Sequence, residues 1–273
     1  KKKRRDLDQL QDQYANIEKM HGSIAAEKAR QMAERLYDVL VGATVHDMRN
    51  ILGPLKSGIT SLLGQLNDNG LDATLFKKHL TKMSHQAEML ERLLDDMRAY
   101  SQPTPGDRRR ERLVDVVNEA HGMVLDAFRA TGRDPAKVKV WIDVPENLTV
   151  EMSRYQIVRA VSNVLKNAYE SFANDPQTFS AGEVRLIART VDGEYVEIVV
   201  KDNGMGLSAE ELEEVRRFVP GGTSKKTHGT GFGLPIAKRK IEDHGGSLAI
   251  NSKEDKGTTV TIALPMEAGG GGE

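Results

Sequence analysis

The sequence predicts a helical hairpin that pairs into a dimeric four-helix bundle, followed by an α/β sandwich on a mixed, mainly antiparallel sheet. Three observations carry this expectation. From Asp6 to Tyr100 the chain holds a single proline, Pro54, few glycines and almost no β-branched runs, while Leu, Met, Ala, Glu, Lys and Gln dominate, which is helix composition. Within that half, apolar residues recur at alternating spacings of three and four. Beyond Ser101-Gln-Pro-Thr-Pro-Gly the pattern changes to helices interleaved with hairpins, without the strict strand–helix alternation of a parallel sheet.

In chain order, Leu7, Leu10, Tyr14, Ile17 and Ile24 keep the helical spacing, but His21 and Lys28 fall on the next seam positions and the pattern moves to Ala25, Ala29, Met32 and Leu36. Residues 1–24 therefore read as a coiled-coil signalling linker with a register slip. Residues 25–102 read as the hairpin. Val41, Val45, Met48, Leu52, Leu55, Ile59 and Leu62 form one seam, Gly64 to Ala73 is turn chemistry, and Leu80, Met83, Ala87, Leu90, Leu94 and Met97 form the other. A two-helix unit of this size buries too little apolar surface alone, so two copies are expected to pack as a homodimer.

Residues 103–110 read as a linker and 111–266 as a second domain. A helix is predicted over 114–131, strands over 137–144 and 147–152, and a long helix over 153–173. A strand pair over 183–191 and 194–201 is turned by Asp192-Gly193. A short helix over 209–217 opens with a Ser208…Glu211 capping box. An irregular stretch then leads to Gly229, a helix over 230–244 ends at Gly245-Gly246, and strands over 247–252 and 258–264 complete the sheet. Residues 267–273 read as a flexible tail.

Composition narrows the functional classes. Of 273 residues, 38% are hydrophobic and 29% charged, and no apolar run reaches the length of a membrane span. Thirty-nine Lys and Arg against 40 Asp and Glu leave a net charge of −1, with no general basic field for nucleic acid. The absence of cysteine excludes disulfides, thiolate metal sites and a cysteine nucleophile. Lys1-Lys-Lys-Arg-Arg5 is followed by charged helix formers rather than the apolar core of a signal peptide, and no initiator Met is present. The expectation is a cytoplasmic fragment, with membrane contact only through segments upstream.

Among seven histidines, His46 stands in a reactive set, His46-Asp47-Met48-Arg49-Asn50. At about 100° per residue, His46, Asp47 and Asn50 fall roughly 100°, 200° and 140° from Val45, on the side away from the seam. Polar residues are ordinary on an exposed helix face, so position alone assigns no role. The chemistry is more specific. An exposed imidazole is largely neutral at pH 7 and is a competent nitrogen nucleophile. A neighbouring carboxylate can orient it and accept its proton, and a carboxamide one turn on can hold a water. Gly53-Pro54 is expected to loosen the helix nearby.

On the long helix of the second domain, Asn163, Asn167 and Glu170 share the polar face, so carboxamide and carboxylate oxygens can meet at one locus suited to Mg²⁺. A solvated face is the plainer reading of that helix taken alone. The strand over 194–201 then runs into Asp202-Asn-Gly204-Met-Gly206, a carboxylate that can accept a hydrogen bond from a purine amine beside glycines that let a flat ring approach. Gly229-Thr230-Gly231-Phe232-Gly233-Leu234 opens a helix whose free N–H groups suit polyphosphate. Between them, Gly221-Gly222 and Lys225-Lys226 suit a lid whose lysine reaches a γ-phosphate.

With these residues in view, the sequence resembles bacterial sensor histidine kinases of two-component signalling, from about residue 25 to 265. His46-Asp47-x-x-Asn50 is similar to the family's H box, Asn163-x-x-x-Asn167-Ala168 to the N box, and Asp202-x-Gly204-x-Gly206 to the first glycine box. Phe218 with Thr223-Ser224-Lys225 is similar to the F box and lid, Gly229-x-Gly231-x-Gly233-Leu234 to the second glycine box, and Gly257-Thr-Thr-Val to the closing segment. The resemblance implies a histidine-phosphotransfer bundle joined to a GHKL (Bergerat-type) ATP-binding domain. It implies His46 as phosphoacceptor, Asp47 as base and Asn50 as the phosphatase-step residue. Asn163 and Asn167 would contact Mg²⁺ and phosphate, Asp202 would anchor adenine, and Thr259 would be a weaker nucleotide contact. Implied partners are a second copy, a response-regulator receiver domain and an upstream sensor domain.

Four positions depart from the family pattern. Ile51 stands where many members have proline, Phe232 where leucine is common, and Gly221-Gly222 where aromatics are frequent. Competing readings are a GHKL ATPase machine, a related kinase acting on serine, and a nucleotide-binding scaffold without turnover. The ATPase machines carry a water-activating glutamate where this sequence has Asn163, which favours histidine phosphorylation.

Overall fold

The computed structural model describes residues 27, 28, 31, 42, 45, 48–64, 73–101, 107–130, 132–172, 182–220 and 230–267. His46, Asp47, Lys225, Gly229 and the linker 1–24 lie outside the described residues. So do most of the 267–273 tail and the hairpin turn at 65–72.

Two helices begin the described chain, α1 over 48–64 and α2 over Ala73–Ser101. Gly58 lets them approach, since a Cβ there would sit 3.1 Å from Met83 Cγ. Leu62 is buried, but Leu52, Ile59, Leu80 and Leu94 are each 40–49% exposed in the single chain. Half of the expected seam therefore lacks a cover. Leu93, which the seam spacing leaves out, is instead 1% exposed because it faces the second domain.

The second domain begins earlier than the composition suggests. Arg109–Arg112, half within the expected linker, forms strand β1. It pairs antiparallel with β3, Thr149–Met152, in a small separate sheet, so β3 is no part of the main sheet. Four charged residues carry no apolar pattern, and the pairing is decided by backbone bonds to β3 and by Arg154, which bridges Glu111 and Glu119. Helices α3 (Leu113–Ala130) and α4 (Arg154–Glu170) pack together over the main sheet.

That sheet runs in the order β2 (Val138–Asp143), β4 (Gly182–Val191), β5 (Tyr195–Asp202), β7 (Gly257–Pro265), β6 (Ser247–Lys253). Only β2 and β4 run parallel; the other neighbours are antiparallel. The β4–β5 turn has Asp192 at φ 53° and Gly193 at φ 74°, the left-handed pair that an Asp-Gly hairpin requires. Period-two alternation sends Val184, Leu186, Val196, Ile198, Val200, Val260 and Ile262 into the core beneath the helices. The other face stays open, with Trp141 60% exposed.

Two further helices complete the domain. Helix α5, Ala209–Arg216, has both bonds of the Ser208–Glu211 capping box. Helix α6, Gly233–Glu242, starts three residues later than the spacing suggests, because Gly231 at φ 72° holds the approach out of helical geometry. It closes on Gly245 at φ 76°, which donates to Glu242 O.

Candidate functional site

The same alternation that builds the core creates the site. Asp202 continues the inward series Val196, Ile198, Val200, so the strand carries a carboxylate to the rim of the core, where it is 5% exposed. Three donors converge on its Oδ1: Gly204 N at 2.9 Å, Thr258 N at 3.1 Å and Ser171 Oγ at 3.3 Å. Burial raises the Asp202 pKa above the usual carboxylate value, and these hydrogen bonds pull the other way without cancelling it. The second oxygen receives none of the three and is the one a purine amine can use.

The glycines beside Asp202 have a reason that composition did not reveal. A Cβ on Gly204 would stand 2.0 Å from Ser171 Oγ, and one on Gly206, at φ 63°, would stand 2.0 Å from Lys253 O. These glycines make room for protein, packing the loop against Ser171 and the β6–β7 turn, rather than for a ligand ring.

Around Asp202 lies one cleft whose walls include Asn163, Asn167, Glu170, Gly206, Thr230, Gly231, Gly233 and Leu234. The α6 N-terminus faces α4 across it: a Cβ on Gly233 would lie 3.9 Å from both Asn163 Cβ and Asn167 Oδ1. The N-cap of α6, Phe232, makes no side-chain cap, and among the described residues its first N–H groups remain for an anion. Among the described residues Asn163 Nδ2 is buried without a hydrogen-bond partner, as expected of a group that a ligand completes. Asn163, Asn167 and Glu170, the last 3.8 Å from Lys166, offer the oxygen donors that Mg²⁺ prefers. Among the described residues no group of three or more His, Asp and Glu side chains is placed to hold a metal ion.

Not every expected residue falls here. Thr259 sits on the face of β7 opposite Thr258 and Val260, and these two line the cleft in its place. A one-residue step along a strand reverses the face, and spacing from the glycine segment did not resolve it. Ser171 and Thr258 were missed altogether. The signal for Ser171 lay in its place one turn beyond Asn167, on the same helix face. Phe218 does line the cleft, at φ 50°, with Lys238 Nζ 5.2 Å from its ring centroid. Asn50 is exposed on α1, away from the cleft.

A sheet covered on one face by helices, with a buried strand-end carboxylate, paired asparagines on a helix and a helix N-terminus around one cleft, is an arrangement suited to binding a nucleotide. Residues 152–268 match the histidine kinase-, DNA gyrase B- and HSP90-like ATPase family. The sensor-like histidine kinase SenX3 of Mycobacterium tuberculosis is 29% identical over 225 residues, covering 81% of this chain and 52% of its own. The sensor histidine kinase WalK of Bacillus subtilis is 28% identical over 276 residues, covering 96% and 43%. The solved histidine kinase ThkA, in complex with response regulator TrrA, superposes with a TM-score of 0.63 at 20% identity, over 88% of this chain and 65% of that one. The chain is similar to sensor histidine kinases of two-component signalling and spans about half the length of the curated relatives it matches. ATP is the nucleotide that the matched ATPase family implies for the cleft.

Proposed function

We propose that this chain is the catalytic portion of an ATP-dependent protein histidine kinase. It phosphorylates its own His46, passes the phosphoryl group to an aspartate of a response-regulator receiver domain, and also serves as a phosphatase of that regulator. The observation that carries the reading is an ATP cleft whose helix presents Asn163 and Asn167, not a water-activating glutamate, in one chain with the His46-Asp47-x-x-Asn50 set.

In this reading Asp202 receives the adenine amine, while Thr230 and the α6 N-terminus hold the phosphates. Asn163, Asn167 and Glu170 hold Mg²⁺, which when bound neutralises charge on the phosphate oxygens. Lys225 reaches the γ-phosphate from the lid. A ring nitrogen of His46 attacks the γ-phosphorus as the bond to the β,γ-bridging oxygen breaks. ADP leaves, and the proton displaced from the ring passes to Asp47. Asn50 positions the water of the phosphatase step.

The half-exposed apolar seam of α1 and α2 supports a homodimer, and the 1–24 segment would relay a signal from an upstream sensor domain. Among the described residues no helix is long and apolar enough to cross a membrane. The chain would act in the cytoplasm.

Incubation with ATP labelled in its γ-phosphate tests the proposal. Acid-labile, base-stable label on the protein, lost in His46→Gln, is expected. Free phosphate released without labelled protein would overturn it in favour of an ATPase.

A further inference from the structure

One wall of the ATP cleft comes from outside the ATPase domain. Asp96, on α2, lines the cleft and accepts the Thr230 hydroxyl at 2.5 Å. The family match begins at residue 152, so no ATPase-domain property accounts for this carboxylate. It arrives through a packed contact. Phe232 and Ile236, both fully buried, close over Leu93 with Met97 and Tyr100 at the edge. Tyr100 meets Phe232 edge-on at 6.2 Å. Arg239 donates to Tyr100 O at 2.5 Å, and its guanidinium lies 5.1 Å from the Tyr100 ring centroid.

We propose that Asp96 competes with the nucleotide's phosphates, so that the hairpin's hold on the second glycine segment and polyphosphate binding oppose each other. Thr230 and the uncapped α6 N-terminus form an anion site, and Asp96 is the anion that the protein itself places beside it. A triphosphate brings several further negative charges to the same few ångströms, where the partly buried setting screens little. One hydroxyl cannot donate to both acceptors. Phe232, Ile236 and Thr230 lie within one short segment, so moving Thr230 strains the packing on Leu93. By linkage, whatever loosens α2 from the domain tightens ATP, and ATP loosens α2 by the same factor. Phe232 extends this contact to Tyr100.

The inference rests on the cleft being an ATP site, and the test separates the two. Calorimetry on the whole chain compares ATP with adenosine, which lacks the phosphates, for the unaltered protein and for Asp96→Asn. The asparagine oxygen still accepts the Thr230 hydroxyl, so only the charge is removed. ATP is expected to bind about tenfold tighter to Asp96→Asn, with adenosine unchanged. In the unaltered chain, amide hydrogen exchange over residues 90–101 should rise on adding ATP and stay level on adding adenosine. Equal or weaker ATP affinity in the variant would overturn the proposal, as would unchanged exchange when ATP is bound. Failure of the unaltered chain to bind either ligand would instead sink the nucleotide reading, and this inference with it.

Discussion

Replacing Asp202 by asparagine separates what the carboxylate does for the nucleotide from what it does for the fold. Three donors reach Oδ1, and a carboxamide oxygen can accept all three from the same place. The second position becomes an NH₂ that, in the proposed reading, would face the adenine amine, so an acceptor is exchanged for a donor. Losing a hydrogen bond to a charged acceptor costs about 1.5–3 kcal/mol, which is roughly a 10- to 150-fold rise in Kd. Stability should move the other way. Burial places the folded-state pKa of Asp202 above its unfolded value. That shift therefore contributes stability below the ordinary carboxylate range and loses it as pH rises through the raised value. Burying the carboxylate is therefore a cost to folding above that range, and Asp202→Asn should melt at the same temperature or higher. Asp202→Ala instead leaves the Gly204, Thr258 and Ser171 donors without their acceptor and should lose about 2–5 kcal/mol. Calorimetric titration with ATP and thermal melts of both variants provide the measurements. Unchanged ATP affinity in a folded Asp202→Asn protein would refute the adenine assignment, and a large fall in its melting temperature would refute the stability argument.

Asn163→Ala removes a carboxamide whose nitrogen has no partner, so melts should change little while Mg²⁺-dependent ATP binding weakens by about tenfold or more; a marked loss of stability would show a structural role. His244 is buried, accepting from Ser153 N at 3.1 Å on Nε2, with Nδ1 2.6 Å from Lys240 O. Burial lowers its pKa, as it does for His121, so both contribute stability that is present above about pH 6.5 and lost as pH falls below it. Melting temperatures should drop from neutral pH to about pH 5.5, and the drop should shrink in His244→Gln; a slope unaffected by that change would exclude the histidine. Leu80→Glu with Leu94→Glu sets charges on the uncovered seam and should turn a dimer into a monomer in sedimentation equilibrium. A dimer that survives both changes would place the interface elsewhere.

Much of the site was legible because its residue types answer to local rules. Ser208 and Glu211 cap a helix from four consecutive residues, and Asp192-Gly193 turns a hairpin by its own dihedral preference. Asn163 and Asn167 share a helix face by spacing alone. Asp202, Gly204 and Gly206 could be picked out in the chain, but the purpose of the glycines could not, because the atoms they avoid, Ser171 Oγ and Lys253 O, are distant in sequence. Strand β1 escaped notice for a related reason: Arg109–Arg112 has no apolar alternation to read, and only the edge of β3 makes it a strand.

Periodicity and turn chemistry, acting over a few residues, thus determined by themselves the helices α1 and α2, the two-layer sandwich and the placing of Asn163 and Asn167 on one helix face. The choice of Thr258 over Thr259, the convergence of donors on Asp202 and the meeting of Asp96 with Thr230 were decided only by the folded chain. Each depends on which faces are turned inward and which distant segments are pressed together, and no local preference encodes a contact between residues 134 positions apart.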